Sequence, residues 1–204
     1  LDKFSGSHNY HNYTPKVEAH MKEAQRNIYS FTCVELFKLE GIPLVRLVVH
    51  GQSFLLNQIR KMVAVAIWCV RYERPAWQVL STFDKDVNFS VPMVPGEFLI
   101  LQECTFDRYY EGMLRKHGKS IQIVPLSYEP YKKAMEDFRA ARITPYLVEL
   151  LREGRFKGWA HRFDLQLESM AALVHPEAEL RAKRYESLLA TRKLVRSMQP
   201  MSKN

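Results

Sequence analysis

Between residues 28 and 73 the chain changes its hydrophobic period, and that change limits the folds open to it. From Ile28 to Leu39 the residues alternate with period two, and β-branched and aromatic types dominate. This spacing predicts a strand. Ile28, Ser30, Thr32, Val34 and Leu36 share one parity, while Tyr29, Phe31, Cys33, Glu35 and Phe37 share the other. Glu40-Gly41 is a turn and Pro43–His50 a second strand, so an antiparallel hairpin is expected. Gly51-Gln52-Ser53 breaks that strand, with Ser53 placed to cap a helix. Phe54–Glu73 then follows helical spacing and stops before Pro75. Its centre, Met62–Val70, is apolar on every face, which predicts a buried helix. That run is the longest apolar one and far short of the roughly 20 residues that span a bilayer.

Around this unit the chain is less sharply patterned. Residues 1–15 predict a helix end and a loop, and residues 16–27 an exposed stretch. A short helix is expected over Ala76–Thr82, a loop over Asp84–Pro95, and a third strand over Phe98–Phe106. Pro130–Ala141, Tyr146–Glu153 and Glu177–Met198 read as helices, the last strongly charged. The fold class is therefore α+β: an antiparallel or mixed sheet covered by helices on one face, with extra C-terminal helices. Trp68 and Trp77 are core candidates.

Charge and motifs narrow the function. Thirty Lys+Arg against 22 Asp+Glu give a net charge of +8. Such a surface favours polyanions, nucleic acid above all, although a solvated basic face with no partner fits equally. The basic 177–198 helix carries the same two readings, phosphate contact or ion-paired surface. Cys33, Cys69 and Cys104 form no CxxC and no metal spacing, which points to a reducing compartment without disulfides. A Gly-rich phosphate loop, HExxH and GxSxG are all absent, so a nucleotide-driven motor, a zinc protease and a serine hydrolase have no support. No signal peptide is visible, and a start at Leu1 rather than Met suggests a piece of a larger protein.

One residue sits badly in a plain core. At 100° per residue Arg60 shares a helix face with Leu56, Val63, Ala64 and Ile67. A buried guanidinium needs a partner. Asp86, Glu97 or a carboxylate from outside the chain could serve, or the side chain could snorkel to water.

Three segments carry a resemblance. Gly51–Ala64, GQSFLLNQIRKMVA, is similar to a motif of the TruA-type tRNA pseudouridine synthases of eukaryotes, approximately G-x-S/A-F-L-x-H-Q-I-R-K-M-V-G. Asn57 stands where the motif has His, and Ala64 where it has Gly. Phe4–Thr14, FSGSHNYHNYT, resembles F-x-G-T-H-N-F-H-N-F-T, with Tyr10 and Tyr13 for Phe. Val94–Leu101, VPGEFLIL, is similar to A-P-G-x-G-L-x-L, with Phe98 in place of a Gly. These blocks keep family order and spacing over residues 1–106. Phe138–Phe163 resembles the eukaryotic C-terminal tail more weakly, and nothing matches beyond about residue 164.

The resemblance implies the second half of a pseudouridine synthase fold over residues 1–163, followed by a basic helical extension over 164–204. It implies isomerisation of uridine to pseudouridine in tRNA, without cofactor or metal. It assigns Arg60 to the family's catalytic Asp, and Leu99 to the target-base pocket. The Asp belongs to an R-T-D-x-G-V-H motif that this sequence lacks, and the catalytic Tyr belongs to the same absent half. The chain alone is therefore expected to be inactive, to need the N-terminal half as partner, and to expose a face prone to self-association. Lys61, His8 and His11 are candidates for RNA contact. A solvated Lys61, and a self-bonded loop of His8, Asn9, His11 and Asn12 holding Tyr10 and Tyr13, are the alternatives. Gln58, nearly opposite Arg60 on the helix, reads as structural unless its side chain reaches a backbone group. The expected compartment is nucleus or mitochondrion. An inactive RNA-binding module and a protein-interaction scaffold remain as other functions of the same fold.

Overall fold

The computed structural model describes residues 1–118, 124, 126–172, 180, 182–187 and 190. They form two compact units, Leu1–Gly96 with Phe156–Asn204, and Glu97–Arg155. The class is α+β.

The first unit contains β1 (Gly6–Asn9), β2 (Gln25–Leu39) and β3 (Ile42–Gly51), in one antiparallel sheet of order β1-β2-β3. The β2–β3 hairpin closes at Glu40 and Gly41, which have φ of 50° and 78°. Two successive positive φ values match the right-handed twist of the strands, and Gly41 takes its share without strain. The regular alternation is corrected by two shifts in the pairing, between Ile28 and Ser30 and between Cys33 and Glu35. Ile28 and Phe31 alternate out of phase, yet both are buried. A register shift between Ile28 and Ser30 inserts the extra residue that turns both inward.

The helix α1 runs Gln58–Arg71 rather than from Phe54 to Glu73. Its buried stripe is Gln58, Met62, Val65 and Trp68, with Ala64 beside it. Burial on every face is not observed: Val63 and Ile67 are half-buried, and Val70 is 80% exposed. One sheet and its neighbours cover one side of a helix, and the far side keeps its apolar surface. The short α2 (Trp77–Ser81) follows as expected.

The core joins an aromatic cluster to aliphatic side chains. Phe4, Tyr10, Tyr13, Phe31 and Phe83 pack with edge and stacked geometries at centroid separations of 5.0–6.1 Å. Each such pair contributes about 0.5–1.5 kcal/mol beyond its buried area. Trp68 is buried in this core and Trp77 packs half-buried against it. The helix α6 (Lys157–Ala172) crosses residue 164 without a break. Its Phe163, Leu167 and Met170, together with Ala182, belong to the same core.

In the second unit the expected strand over Phe98–Phe106 does not form. A strand exists by the ladder it joins, and this backbone joins none among the described residues. An unanticipated helix, α3 (Asp107–His117), follows. The two helices expected around Thr144-Pro145 are α4 (Lys132–Phe138) and α5 (Thr144–Arg152), joined by a π-helical turn over Arg139–Ile143. Pro145 has no N–H to continue the ladder, and a π turn absorbs the lost bond without ending the helix. Of the predicted helix over 177–198, residues 180, 182–187 and 190 are helical, and the rest lie outside the described residues.

Candidate active site

The N-terminal turn of α1 is held by two side chains with different jobs. Asn57 precedes the helix in the left-handed region, at φ 66° and ψ 2°, which stops the helix from extending back to Phe54. Gln58 is fully buried, and its Oε1 accepts the Leu55 N–H at 2.8 Å. It therefore does reach a backbone group, the exception set against a structural reading, but that group is Leu55 of its own turn, which the bond holds in place.

Arg60 stands half-buried in the same turn. Its Nε donates to the Val94 carbonyl at 2.7 Å, and its Nη1 to Asn57 Oδ1 at 3.3 Å. A Cβ on Gly96 would lie 3.6 Å from Cζ and Nε. That contact is ordinary for a methyl, but any longer side chain there would spread over the guanidinium. Among the described residues of its own unit, Arg60 makes no ion pair. Asp86, one of the candidate partners, is exposed. Glu97 belongs to the other unit, as does Leu99, which is 49% exposed and outside any strand.

Lys61 turns away from Arg60. Its Nζ donates to the Asn12 carbonyl at 3.3 Å, and burial pulls its pKa below the ordinary lysine value. It is thus not fully solvated, and one of its three N–H donors is taken up by that carbonyl.

The candidate RNA contacts His8 and His11 are 1% and 7% exposed. His8 Nε2 donates to the Ser5 carbonyl at 2.9 Å, its Nδ1 accepts from the Tyr185 hydroxyl at 3.0 Å, and its ring stacks on Phe83 at 4.3 Å. His11 lies between Asn9 Oδ1 at 2.9 Å and the Val87 carbonyl at 3.0 Å. Burial lowers its pKa, against the opposing pull of the Val87 carbonyl and the Asp84 carboxylate; Lys85 adds to the lowering. This matches the self-bonded alternative: both rings brace the loop from within.

Asn12 is the strongest of these braces. Its Nδ2 donates to the Thr82 and Val87 carbonyls at 2.8 and 2.9 Å, and its Oδ1 accepts the Phe89 N–H at 2.8 Å. Asn12 so fastens the Asp84–Pro95 loop, which carries the carbonyl that Arg60 bonds. The three sequence blocks meet here, through Asn12 to Lys61 and Val94 to Arg60. Asn57 and Val94 were not foreseen as contacts. The i,i+3 spacing of Asn57 and Arg60 was the available signal, whereas a backbone carbonyl leaves none.

The sequence model of tRNA pseudouridine synthases matches residues 1–107, slightly more than half the chain, and takes in all three blocks. The chain belongs to the tRNA pseudouridine synthase family. It is 34% identical over 143 residues to tRNA pseudouridine synthase 1 of Schizosaccharomyces pombe, covering 70% of this chain and 26% of that protein. It is 31% identical over 152 residues to the pseudouridylate synthase 1 homolog of Mus musculus, covering 74% of this chain and 35% of that protein. The chain thus spans about a quarter to a third of these relatives' length. Within the synthase family frame, the site is a guanidinium aimed by a backbone carbonyl and an amide, with no ion pair to it among the described residues of its unit. Among the described residues there is no metal-binding cluster, and no helix is long and apolar enough to cross a membrane.

Proposed function

We propose that this chain is the C-terminal part of a synthase that isomerises uridine to pseudouridine in tRNA. The reaction breaks the C1′–N1 glycosidic bond, turns the uracil, and forms C1′–C5. The hydrogen at C5 leaves as a proton and N1 gains one, so the product is an isomer. The nucleophilic Asp comes from sequence outside these residues, since no Arg-Thr-Asp occurs here.

Arg60 is the partner of that Asp. The observation that carries this role is its state: half-buried, held through Nε, and without an ion pair among the described residues of its unit. A guanidinium in contact with a carboxylate orients it and keeps it ionised. Leu99 packs against the uracil once the base has left its stack. Phosphate contacts dispersed over the basic surface supply tRNA affinity, which falls with salt.

The test is tritium release from C5-labelled uridine in tRNA, with the full-length gene product. Arg60→Leu should nearly abolish turnover while tRNA binding persists, because binding rests on many contacts and catalysis on one geometry. Arg60→Lys should fail as well, since an ammonium cannot make the two-pronged contact. Near-normal turnover by a folded Arg60→Leu protein would remove the assigned role. Turnover by these 204 residues alone would show that the acid lies within them.

A further inference from the structure

Asn57 occupies the position just before α1, where an Asn side chain ordinarily accepts the backbone N–H two or three residues on. It makes no such bond. Its Oδ1 instead meets the side chain of the residue whose N–H it would have taken, Arg60, at Nη1. Its backbone is also left-handed, whereas capping residues are usually extended. Both departures turn the amide toward the guanidinium and away from the helix end.

We propose that Asn57 is a positioning residue for Arg60, a role that rests on the function proposed above for that arginine. Val94 holds the Nε edge and Asn57 the Nη1 side, from two separate segments of chain. Acceptors on two sides fix the plane of the group, where one would leave it free to swing. Nη2 makes no hydrogen bond among the described residues of the unit, which leaves that end for a carboxylate. The amide has a further merit. Asp tolerates the left-handed region about as well as Asn, but its carboxylate would pair with Arg60 and cancel the charge. A neutral acceptor aims the cation and leaves it cationic.

The test is steady-state kinetics of the full-length protein with Asn57→Gly and Asn57→Asp, beside Arg60→Leu, after a melting check. Glycine keeps the left-handed turn and costs a helix start little, so only the acceptor is lost. If Asn57 serves only the turn, Asn57→Gly retains kcat within about twofold, and the proposal is overturned. The expected result is a fall in kcat of about tenfold or more with an unchanged KM for tRNA, because the lost contact acts on geometry at the reacting centre. Asn57→Asp should also lose kcat, with a stable fold; full activity there would equally overturn the proposal. If Arg60→Leu is inactive while Asn57→Gly is normal, Asn57 alone loses its role. If Arg60→Leu itself turns over, the arginine's role fails and this one with it.

Discussion

Residues 8–14 and residues 97–106 make opposite use of side-chain polarity. His8, Asn9, Tyr10, His11, Asn12, Tyr13 and Thr14 are all buried, although most of them are polar. Glu97 to Phe106 are all exposed, although Phe98, Leu99, Ile100, Leu101 and Phe106 are large and apolar. The first stretch is inside because nearly every polar group in it meets a fixed partner: Asn9 with Ala19, Tyr10 with Phe4, His11 with Val87, Asn12 with three backbone groups, Tyr13 with Thr82. A buried polar group that is bonded costs little, and one left unbonded costs much. The second stretch joins no ladder among the described residues, and none of its residues is buried. Burial here follows the supply of partners, and hydrophobicity alone would have ranked the two stretches the other way.

The sharpest way to break this contrast is Asn12→Ala. It leaves the Phe89 N–H and shared carbonyls of Thr82 and Val87 short of a partner in a buried site. At about 1–3 kcal/mol for an unsatisfied buried group, the loss should be roughly 3 kcal/mol or more. Thermal melting of the chain should fall by about 10 °C. Asn12→Asp keeps the shape and the acceptor for Phe89 but turns a carboxylate oxygen toward two carbonyls, so it should do no better. A change under about 0.5 kcal/mol for both would mean that the loop is held by its aromatic anchors alone.

The same contrast explains what could be taken from the sequence. The hairpin was legible because its period is two and Gly41 suits the positive φ of the turn. Arg60 was legible as an anomaly, and the resemblance supplied its role. The side of α1 that lies inside was not legible, since Met62–Val70 is apolar all round and gives no moment to orient by. Ile28 and Phe31 share the core only through a bulge, which alternation cannot show. The Phe98–Phe106 strand failed because propensity says nothing about whether a partner edge is present. His8 and His11 look the same in sequence whether they face RNA or a carbonyl.

A smaller effect sharpens the comparison from the polar side. Burial holds the His11 pKa below the ordinary imidazole value near 6.5. The neighbouring charges are Asp84, which opposes this, and Lys85, which adds to it. Above about pH 6.5 both folded and unfolded chains keep the ring neutral, and it adds no pH dependence. Below that value the unfolded chain takes up a proton that the folded chain resists, so stability falls with pH. Melting should drop by a few degrees between pH 7 and pH 5, and His11→Gln should flatten that part of the curve. An unchanged curve in His11→Gln would show that the ring takes up its proton equally in the folded and unfolded chains, so that burial does not set its titration.

The smallest expected effect lies in the apolar stretch. Leu101 is 79% exposed, so its side chain is nearly as wet in the folded chain as in the unfolded one. Replacing it by Ser removes apolar area that folding never took from water, and the transfer free energy of about 25 cal/mol per Å² has almost nothing to act on. Leu101→Ser in the 204-residue chain should therefore change stability by less than about 0.5 kcal/mol, or about 2 °C in melting. Leu167→Ser, in the buried core of the same chain, supplies the reference and should cost about 2–5 kcal/mol, the range for truncating a buried leucine. The ratio of the two losses measures how far the exposed stretch departs from an ordinary core strand. A loss at Leu101 approaching that at Leu167 would mean that Phe98–Leu101 is covered when the chain is in solution, and the contrast with residues 8–14 would then vanish.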